Sequence, residues 1–393
     1  MVKRNMVVWG FILAVIMSGV CYVYAFADAS SEVRSVRQMV GRDMMVRTFV
    51  WQSDVLDERM RIVYRRCGEN LLREVYPTVE RYTIGDDIFF RYRAEIDGLV
   101  RGAEYEYAVT NGRADVWHRF RVADGTYTAL VFTDSQSGGD YRVWQEVVRA
   151  ARREVSIADL CFHLGDLVDC GASRYQWDRW LAGAEEILLS CAFAPTVGNH
   201  EDYTTDWQMS LPYWYRALFP VAKNDDTELD GHVYSFDYGD VHYAVLDTQA
   251  EELSTWKSDW IDRQAEWLSR DLAQSGARWK VVMCHKPFYE MDGTLTKHGK
   301  VWLPICHKYG VRLVLSGHHH IYERKTVDGV TMITGGVSGD GTGYEVQDGG
   351  VGVQKRCDMP TYMTMTVTGD ALRLKTVQVD GAVLDEVMIS SQK

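Results

Sequence analysis

The sequence predicts a layered α/β fold preceded by a smaller all-β region. Five short, β-branched apolar segments alternate with helix-like stretches in the middle of the chain, which is the pattern of α/β layers. Before them, short segments of alternating polarity are separated by Gly, Asn and Asp turns. At 393 residues the chain exceeds one typical domain, so two structural units are expected.

The all-β region is expected to span residues 30–124. Its predicted strands include residues 48–51, 61–64, 88–96 and 105–109. Short strands at this spacing, with turn residues between them, are typical of a small β-sandwich. A packing platform for the rest of the chain is its expected role, and glycan or cell-surface binding is the alternative.

The α/β part is expected to span residues 126–393. Its buried strands are predicted at residues 128–132, 160–164, 193–197, 280–283 and 312–315, and its helices at residues 141–154, 174–189 and 259–273. Three alternating segments at residues 362–367, 372–379 and 383–389 are expected to finish a second sheet. The Gly-rich stretch 338–352 is predicted to be a flexible loop near the functional site.

Each of the five apolar segments is followed by side chains that bind metals. These clusters are Asp134-Ser135-Gln136, the stretch 165–169 that contains Asp166 and Asp169, Gly198-Asn199-His200-Glu201, His285, and Gly317-His318-His319-His320. Any one of them alone is a weak signal. Ligands of open α/β sheets bind beyond the carboxyl ends of the strands, so the five clusters together predict one shared site.

The residue types in these clusters suit a hydrolytic site with two metal ions. Two cations about 3.5 to 4 Å apart need a bridging anion and terminal oxygen or nitrogen ligands. Asp166 is the expected bridging carboxylate. Asp134 and His320 are expected to hold one ion, and Asn199, His285 and His318 the other. His200 is placed to protonate a leaving group.

The order Asp, Gly-Asp, Gly-Asn-His-Glu, His, Gly-His-x-His resembles that of the calcineurin-like metallophosphoesterases. Residues 98–107, 264–268 and 320–324 narrow the resemblance to the purple acid phosphatase branch, and the likeness runs from about residue 45 to the C-terminus.

This resemblance implies a four-layer α/β/β/α catalytic domain and a preceding fibronectin type III-like domain, in which Trp51 is a core residue and Tyr105 a corner tyrosine. It also implies that Asp134, Asp166, Asn199, His285, His318 and His320 are metal ligands, that His200 is the leaving-group acid, and that metal-bound hydroxide attacks phosphorus in line.

Two positions depart from the purple acid phosphatase pattern. Asp169 stands where that branch has an iron-binding Tyr, and Gln136 stands where it has Gly. Without a phenolate, formal charge favours two divalent ions, which we expect to be Mn²⁺, Zn²⁺ or Fe²⁺. Asp169 is expected to orient a metal ligand or to close the loop, and direct coordination of a metal is the alternative. Gln136 is expected either to bind a metal weakly or to hold a water or substrate oxygen.

Other histidines have simpler interpretations. His163 and His319 lie within or beside strands and are expected to be hydrogen-bonded structural groups, not ligands. His298 and His307 fall near a predicted helix, where a solvated face is favoured. The alternative for His298 is a place at the mouth of the substrate site.

The N-terminus is expected to direct export. Lys3 and Arg4 precede an apolar stretch at residues 6–24 and a small-residue cleavage site near residue 27, so residues 1–27 are predicted to be a signal peptide. An uncleaved membrane anchor is the alternative. The protein is therefore expected to be secreted, periplasmic or at the cell surface. Seven cysteines, an odd number, follow the signal, and no pairing can be deduced from the sequence.

The net charge of the chain disfavours one class of partner. The formal net charge is −12, and removal of residues 1–27 takes away two positive charges to give −14, which disfavours nucleic-acid binding. Bound cations would still attract small phosphate esters. No protein partner is predicted.

The sequence thus favours an exported metal-dependent hydrolase of small phosphomonoesters. The alternatives are a phosphodiesterase of the same fold and, from a different class, a surface-binding protein whose metal site has degenerated.

Overall fold

The computed structural model describes residues 12–17, 20–25, 32–112, 116–341, 343–346 and 352–391. Strands β1 (Ile12–Met17) and β2 (Val20–Ala25) form a separate antiparallel pair. The rest of the predicted signal segment lies outside the described residues. Within the described ranges, no helix combines the length and apolar character that crossing a membrane requires.

The all-β region consists of two facing sheets. Its strands are β3 (Arg34–Val40), β4 (Arg47–Ser53), β5 (Arg61–Arg66), β6 (Arg73–Val75), β7 (Thr78–Ile84), β8 (Asp87–Ile96), β9 (Glu104–Thr110) and β10 (His118–Arg121). One sheet has the order β3-β4-β8-β7 and the other β10-β9-β5-β6. The sheets pack through aromatic side chains, with the Phe49 ring 4.6 Å from that of Tyr107.

Two aromatic residues occupy the positions predicted for them in this region. Trp51 is completely buried and stacks on Tyr92 at a ring separation of 5.4 Å. The Tyr105 hydroxyl accepts a 3.0 Å hydrogen bond from the backbone nitrogen of Val100, five residues upstream. This contact is the corner arrangement expected of a tyrosine in a β-sandwich.

The second part of the chain alternates strands and helices. Its strands are β11 (Tyr127–Phe132), β12 (Leu160–His163), β13 (Ala192–Pro195), β14 (Tyr234–Tyr238), β15 (Val241–Val245), β16 (Trp279–Met283), β17 (Leu313–Ser316), β18 (Ile321–Val327), β19 (Val330–Gly335), β20 (Val353–Arg356), β21 (Thr361–Val367), β22 (Ala371–Gln378) and β23 (Val383–Ser390). Its helices are α1 (Arg142–Glu154), α2 (Arg174–Leu188), α3 (Tyr213–Leu218), α4 (Trp260–Gln274) and α5 (Lys297–Lys308), with 3₁₀ turns at His200–Asp202 and Thr227–Leu229.

These strands form two sheets with parallel centres. Strands β11, β12 and β13 are parallel neighbours in the first sheet, and β15, β16, β17 and β19 are parallel neighbours in the second. The C-terminal strands β21, β22 and β23 extend the first sheet beyond β11. The expectation that they finish a second sheet was wrong, because alternating polarity identifies a strand but not its neighbour.

Successive side chains of a central strand point to opposite faces of its sheet, and the apolar ones are divided among three hydrophobic cores. Val131 on β11 and Val281 on β16 point into the core between the two sheets. Leu130, next to Val131, instead packs with α1 and α2, and Val282, next to Val281, packs with α4 and α5. The order helix, sheet, sheet, helix is the predicted four-layer α/β/β/α arrangement.

The all-β region continues the first sheet. Strand β3 lies parallel to β13, with Met39 opposite Phe193, so the sheet has ten strands. Arg37 on β3 donates a 2.8 Å hydrogen bond to the carbonyl oxygen of Leu218 at the end of α3, and Arg91 on β8 donates one of 3.0 Å to that of Ala217. Cationic donors at a helix carboxyl end are electrostatically favourable. The division of the chain at residues 124–126 stays a prediction.

Candidate metal centre

The predicted ligands lie in loops at the carboxyl ends of β11, β12, β13, β16 and β17. Four of them have backbone φ angles in the left-handed region: Asp134 at 50°, Asp166 at 54°, His318 at 73° and His320 at 53°. Non-glycine residues adopt this conformation at a cost of about 1 to 3 kcal/mol and only where their surroundings impose it. Such strain is concentrated at functional sites.

Two glycines of the motifs are required by close packing at these loops. A Cβ atom on Gly198 would lie 2.2 Å from a carboxylate oxygen of Asp166, and one on Gly317 would lie 2.4 Å from a carboxylate oxygen of Asp134. Both distances are far below van der Waals contact. The Gly-Asn-His and Gly-His-x-His motifs therefore need glycine so that neighbouring loops can approach the carboxylates.

One half of the site consists of Asp166, Asn199, His285 and His318. The His285 Nδ1 atom donates a 2.8 Å hydrogen bond to the carbonyl oxygen of Leu164, which turns Nε2 towards the site. This Nε2 lies 3.1 Å from Asp166 Oδ2 and 3.1 Å from Asn199 Oδ1. Ligand atoms of Asp166, His285 and His318 all lie within 4.8 Å of one another.

The other half consists of Asp134, Gln136 and His320. Asp134 is fully buried, and its carboxylate accepts hydrogen bonds from the backbone nitrogen of His318 at 2.9 and 3.1 Å. His320 Nε2 lies 3.3 Å from Asp134 Oδ1 and 3.2 Å from the Gln136 side-chain nitrogen. The Gln136 Oε1 atom is buried without a hydrogen-bond partner among the described residues. Amide atoms are interchangeable by rotation, so this oxygen could face His320.

The arrangement of donors fits a cation. With Nδ1 of His285 donating to a carbonyl, Nε2 faces two oxygen acceptors, and either a proton or a metal cation is needed between them. Burial lowers the pKa of His285, but Asp166 and Asp134 more than offset it and raise the pKa to about 9. A divalent cation would supply the same charge, and mixed imidazole and oxygen donors suit Mn²⁺, Zn²⁺ and Fe²⁺.

His200 lies at the edge of this group. Its Nδ1 atom donates a 2.8 Å hydrogen bond to the carbonyl oxygen of Asp169, and its Nε2 atom lies 3.9 Å from Asp166 Oδ2. Burial alone lowers the pKa of His200, but Asp166 and the Asp169 carbonyl hold it above the ordinary value. The ring is thus oriented so that a protonated Nε2 points towards the site.

Asp169 contacts His200 from the adjacent loop. Its carbonyl oxygen orients the ring, and its carboxylate oxygen lies 3.7 Å from His200 Nδ1. Its backbone nitrogen lies 3.3 Å from the Tyr141 hydroxyl, which fixes the loop from the other side. The structure therefore brings Asp169 to His200, the predicted leaving-group acid, whereas Gln136 lies with the predicted ligands.

Glu201 is a functional residue to which the sequence analysis gave no role. Its buried carboxylate accepts hydrogen bonds from the backbone nitrogens of Gly198 at 2.7 Å, Asp166 at 2.9 Å, Leu167 at 2.9 Å and Val168 at 3.2 Å. Burial raises the pKa of Glu201 to about 7, and the N–H groups oppose that effect. Its place in the Gly-Asn-His-Glu motif was the available signal.

The remaining histidines have structural contacts. His163 Nε2 lies 2.7 Å from the Ser135 hydroxyl, and His319 Nδ1 lies 2.7 Å from a carboxylate oxygen of Glu323. The expectation that His298 occupies a solvated helix face was wrong. His298 is only 6% exposed and donates a 2.8 Å hydrogen bond to the carbonyl of Pro287. With His318, it lines a cavity of about 380 Å³, consistent with the alternative place near the substrate mouth.

Comparison with known proteins agrees with this geometry. Residues 127–322 match the family model described as calcineurin-like phosphoesterase. Human acid phosphatase type 7 is 27% identical over 264 residues, which cover 59% of this chain and 56% of the relative. Purple acid phosphatase 15 of Arabidopsis thaliana is 26% identical over 193 residues, covering 44% and 34% respectively. The match to the human relative therefore spans about half of that protein's length.

A solved structure has a similar fold. Purple acid phosphatase PPD1 from yellow lupin (Lupinus luteus) seeds superposes with a TM-score of 0.72 over 96% of this chain and 79% of the lupin chain, at 17% identity. At that identity the likeness concerns the fold. Residues 127–322 form a calcineurin-like phosphoesterase domain, and the relatives of the chain include purple acid phosphatases.

Proposed function

We propose that this protein is an exported phosphoesterase that hydrolyses small phosphomonoesters at a site for two divalent cations. The observation that carries the proposal is the convergence of six acidic, amide and imidazole ligands from five loops, with an oriented imidazole beside them. These ligands are Asp134, Asp166, Asn199, His285, His318 and His320, and the imidazole is that of His200.

Asp166 is the ligand best placed between two cations. Its Oδ2 atom lies 3.1 Å from His285 Nε2. The loops after β11 and β17 bring Asp134 and His320 together, with His320 Nε2 3.3 Å from Asp134 Oδ1. When bound, divalent cations would lower the pKa of a coordinated water and would polarise a phosphoryl oxygen. The protein's part is to hold the donors rigid in strained loops, so little reorganisation is needed during the reaction.

His200 is proposed to donate a proton to the oxygen of the departing alcohol. Its Nδ1 hydrogen bond to the Asp169 carbonyl fixes the ring, so the proton at Nε2 is the one available to the ester. A positioned general acid accelerates a reaction by about 10²- to 10⁴-fold, and its effect is largest for poor leaving groups.

The activity is tested with the full chain supplied with Mn²⁺ or Zn²⁺. Aryl phosphate and bis-aryl phosphate are assayed in parallel on the wild type, on His200→Ala and on His118→Ala, which removes a histidine in the all-β region. The wild type should favour the monoester, and His200→Ala should retain its metals while losing kcat by about 10²-fold or more. Preference for the diester would favour a phosphodiesterase. No turnover with metals supplied would favour a binding protein, and loss of metals from His200→Ala would contradict the acid role.

The metals are proposed to be two divalent ions because Asp169, not a tyrosine, follows the bridging carboxylate by three positions. Elemental analysis should give two ions per chain, and Asp166→Asn should abolish loading of both. The visible spectrum should lack a phenolate charge-transfer band. A purple preparation would contradict this assignment.

Export is proposed from the N-terminal sequence. Lys3 and Arg4 precede the apolar stretch 6–24, and the small residues Ala25 and Ala27 suit cleavage after residue 27. N-terminal sequencing of the mature protein, together with fractionation, would distinguish cleavage near residue 27 from retention as an anchor. Recovery of an uncleaved chain in the cytoplasm would contradict export.

A further inference from the structure

Trp207 is a large aromatic side chain held exposed beside the candidate site. The residue is 55% exposed, and its backbone φ angle is 60°, in the left-handed region. Tryptophan in this conformation is strained, and an exposed indole loses the benefit of burial. The surroundings of Trp207 must therefore offset both the backbone strain and the exposure of the indole.

Hydrogen bonds hold the turn that carries Trp207 in place. The backbone nitrogen of Trp207 donates to the carbonyl of Thr204 at 2.9 Å, and that of Thr204 donates to the carbonyl of Gln208 at 2.9 Å. The Thr204 hydroxyl accepts from the Gln208 backbone nitrogen at 2.9 Å, and Tyr203 and Met209 form a β-bridge across the turn. The indole therefore has a defined position.

That position is next to the proposed leaving-group acid. The Trp207 ring centroid lies 5.8 Å from that of His200 at an interplanar angle of 83°, and Tyr203 lies 5.8 Å from each. A general acid must come within about 3 Å of the oxygen that it protonates. A ring bonded directly to that oxygen would consequently meet the indole, since aromatic pairs interact at centroid separations of about 4.5 to 7 Å.

We propose that Trp207 is a specificity-determining residue for aryl phosphate monoesters, in which the aromatic ring is attached directly to the ester oxygen. This inference rests on the proposed phosphomonoesterase function. An alkyl group on the same oxygen would touch the indole but lacks the complementary quadrupole of an aromatic ring. In a nucleotide, the ribose separates the base from the phosphate, so the base lies beyond this contact.

The reaction is a balanced hydrolysis. Water oxygen forms a bond to phosphorus, the bond between phosphorus and the aryl oxygen breaks, and the electron pair stays on that oxygen. His200 supplies the proton that converts it to a phenol and is later reprotonated by the proton that water releases. The products are the free phenol and inorganic phosphate, while Trp207 contacts the ring throughout and exchanges no atom.

The test compares phenyl phosphate with cyclohexyl phosphate, which has a ring of similar size without aromaticity. The metal-supplied full chain is assayed as wild type, Trp207→Ala, Trp207→Phe and Trp117→Ala, the last removing an exposed Trp in the all-β region. Trp207→Ala should lower the ratio of kcat/KM for phenyl over cyclohexyl phosphate by about threefold to tenfold. Trp207→Phe should keep it within about twofold, and Trp117→Ala should leave it unchanged.

The ratio separates stacking from other roles. Partial misfolding lowers both rates equally, so an unchanged ratio in Trp207→Ala would overturn the inference while leaving the proposed function intact. A ratio that rises would show that Trp207 supports the acid function of His200, because loss of the acid harms the alkyl ester more, and would also overturn the inference. If the wild type turned over neither ester, the proposed function would fail, and this inference with it.

Discussion

The carboxylate of Glu201 accepts a 2.9 Å hydrogen bond from the backbone nitrogen of Asp166, the residue proposed to lie between the two cations. The same carboxylate accepts from Gly198, so it ties the loop after β12 to the loop after β13. Asp166 thereby keeps its left-handed conformation, and its Oδ1 atom accepts a 2.9 Å hydrogen bond from the backbone nitrogen of His200. One buried acid thus positions a predicted ligand and the predicted acid together.

Replacement of Glu201 by Gln should weaken metal binding. Gln would place an amide N–H group among backbone N–H donors and would remove the charge that they stabilise. Loss of an outer-shell partner typically costs about 10- to 100-fold in metal affinity, which calorimetric titration with Zn²⁺ would measure. Glu266→Gln, on the exposed face of α4, is the matched control. Unchanged affinity in Glu201→Gln would contradict the positioning role.

Replacement of Gln136 by Ala should weaken the binding of one of the two proposed cations. The Gln136 side chain lies against His320, which contacts Asp134. Loss of a weak oxygen ligand should cost about tenfold in affinity, the lower end of the range for outer-shell partners. A two-step titration should show one step weakened and the other unchanged. Two unaffected steps would mean that Gln136 holds water or substrate instead.

Replacement of Asp202 by Asn should stabilise the protein at neutral pH. Asp202 is fully buried, and neither carboxylate oxygen has a hydrogen-bond partner among the described residues. Burial, then Asp247, raises the pKa of Asp202 well above its ordinary value. A carboxyl with a raised pKa binds its proton more tightly when folded, so it lowers stability as pH rises above the unfolded pKa of about 4.

The Asp202→Asn variant should therefore be more stable than wild type at about pH 7, by roughly 1 kcal/mol or more, and the two should converge near pH 4. Urea unfolding at both pH values measures the difference. Asp86→Asn, at an exposed turn, controls for the general loss of negative charge. A variant that is less stable at neutral pH would show that the carboxylate has a stabilising partner, such as a bound cation.

Replacement of His242 by Gln should remove a stabilising contribution that depends on pH. His242 lies between Asp237 and Asp271, with both ring nitrogens 2.8 Å from a carboxylate oxygen. Burial lowers its pKa, but the two carboxylates outweigh burial and raise the pKa to about 9. A histidine with a raised pKa stabilises the fold fully below its unfolded pKa of about 6.5, and that stabilisation is lost as pH rises through 9.

At about pH 6, His242→Gln should reduce the free energy of unfolding by about 2 kcal/mol, and the loss should shrink towards zero near pH 10. Chemical denaturation across this range would follow the change. A loss of constant size at every pH would mean that packing, and not charge, accounts for the effect.

The sequence predicted the catalytic scaffold well because its signals are local. Each strand before a ligand is a short β-branched run, and parallel strands bring the polar residues that follow them to one edge. Asp134 and His285 are 151 positions apart in the chain, yet the pattern of strand ends sufficed to predict that they share a site.

What the sequence did not predict depends on contacts between distant segments. Three of the four amides that donate to Glu201 lie 33 to 35 positions earlier. The Gly-Asn-His-Glu motif contains Glu201 but does not indicate these distant partners. His298 lies on a helix whose polarity suggested a solvent-exposed face. Its side chain is instead buried, donates to the carbonyl of Pro287 and lines a cavity. Trp207 becomes a candidate for substrate contact only because it is exposed and lies near His200. Neither property can be predicted from its position in the sequence.

The pairing of β3 with β13 has a practical consequence for dissecting the molecule. A fragment that starts at residue 126 would leave β13 as a bare lateral edge with unused amides and carbonyls, and Leu218 and Ala217 would lose the arginines that donate to their carbonyls. Exposed apolar edges recruit other copies and promote precipitation. Soluble shortened forms should therefore begin before Arg34, so that the strand Arg34–Val40 remains paired with the edge of β13.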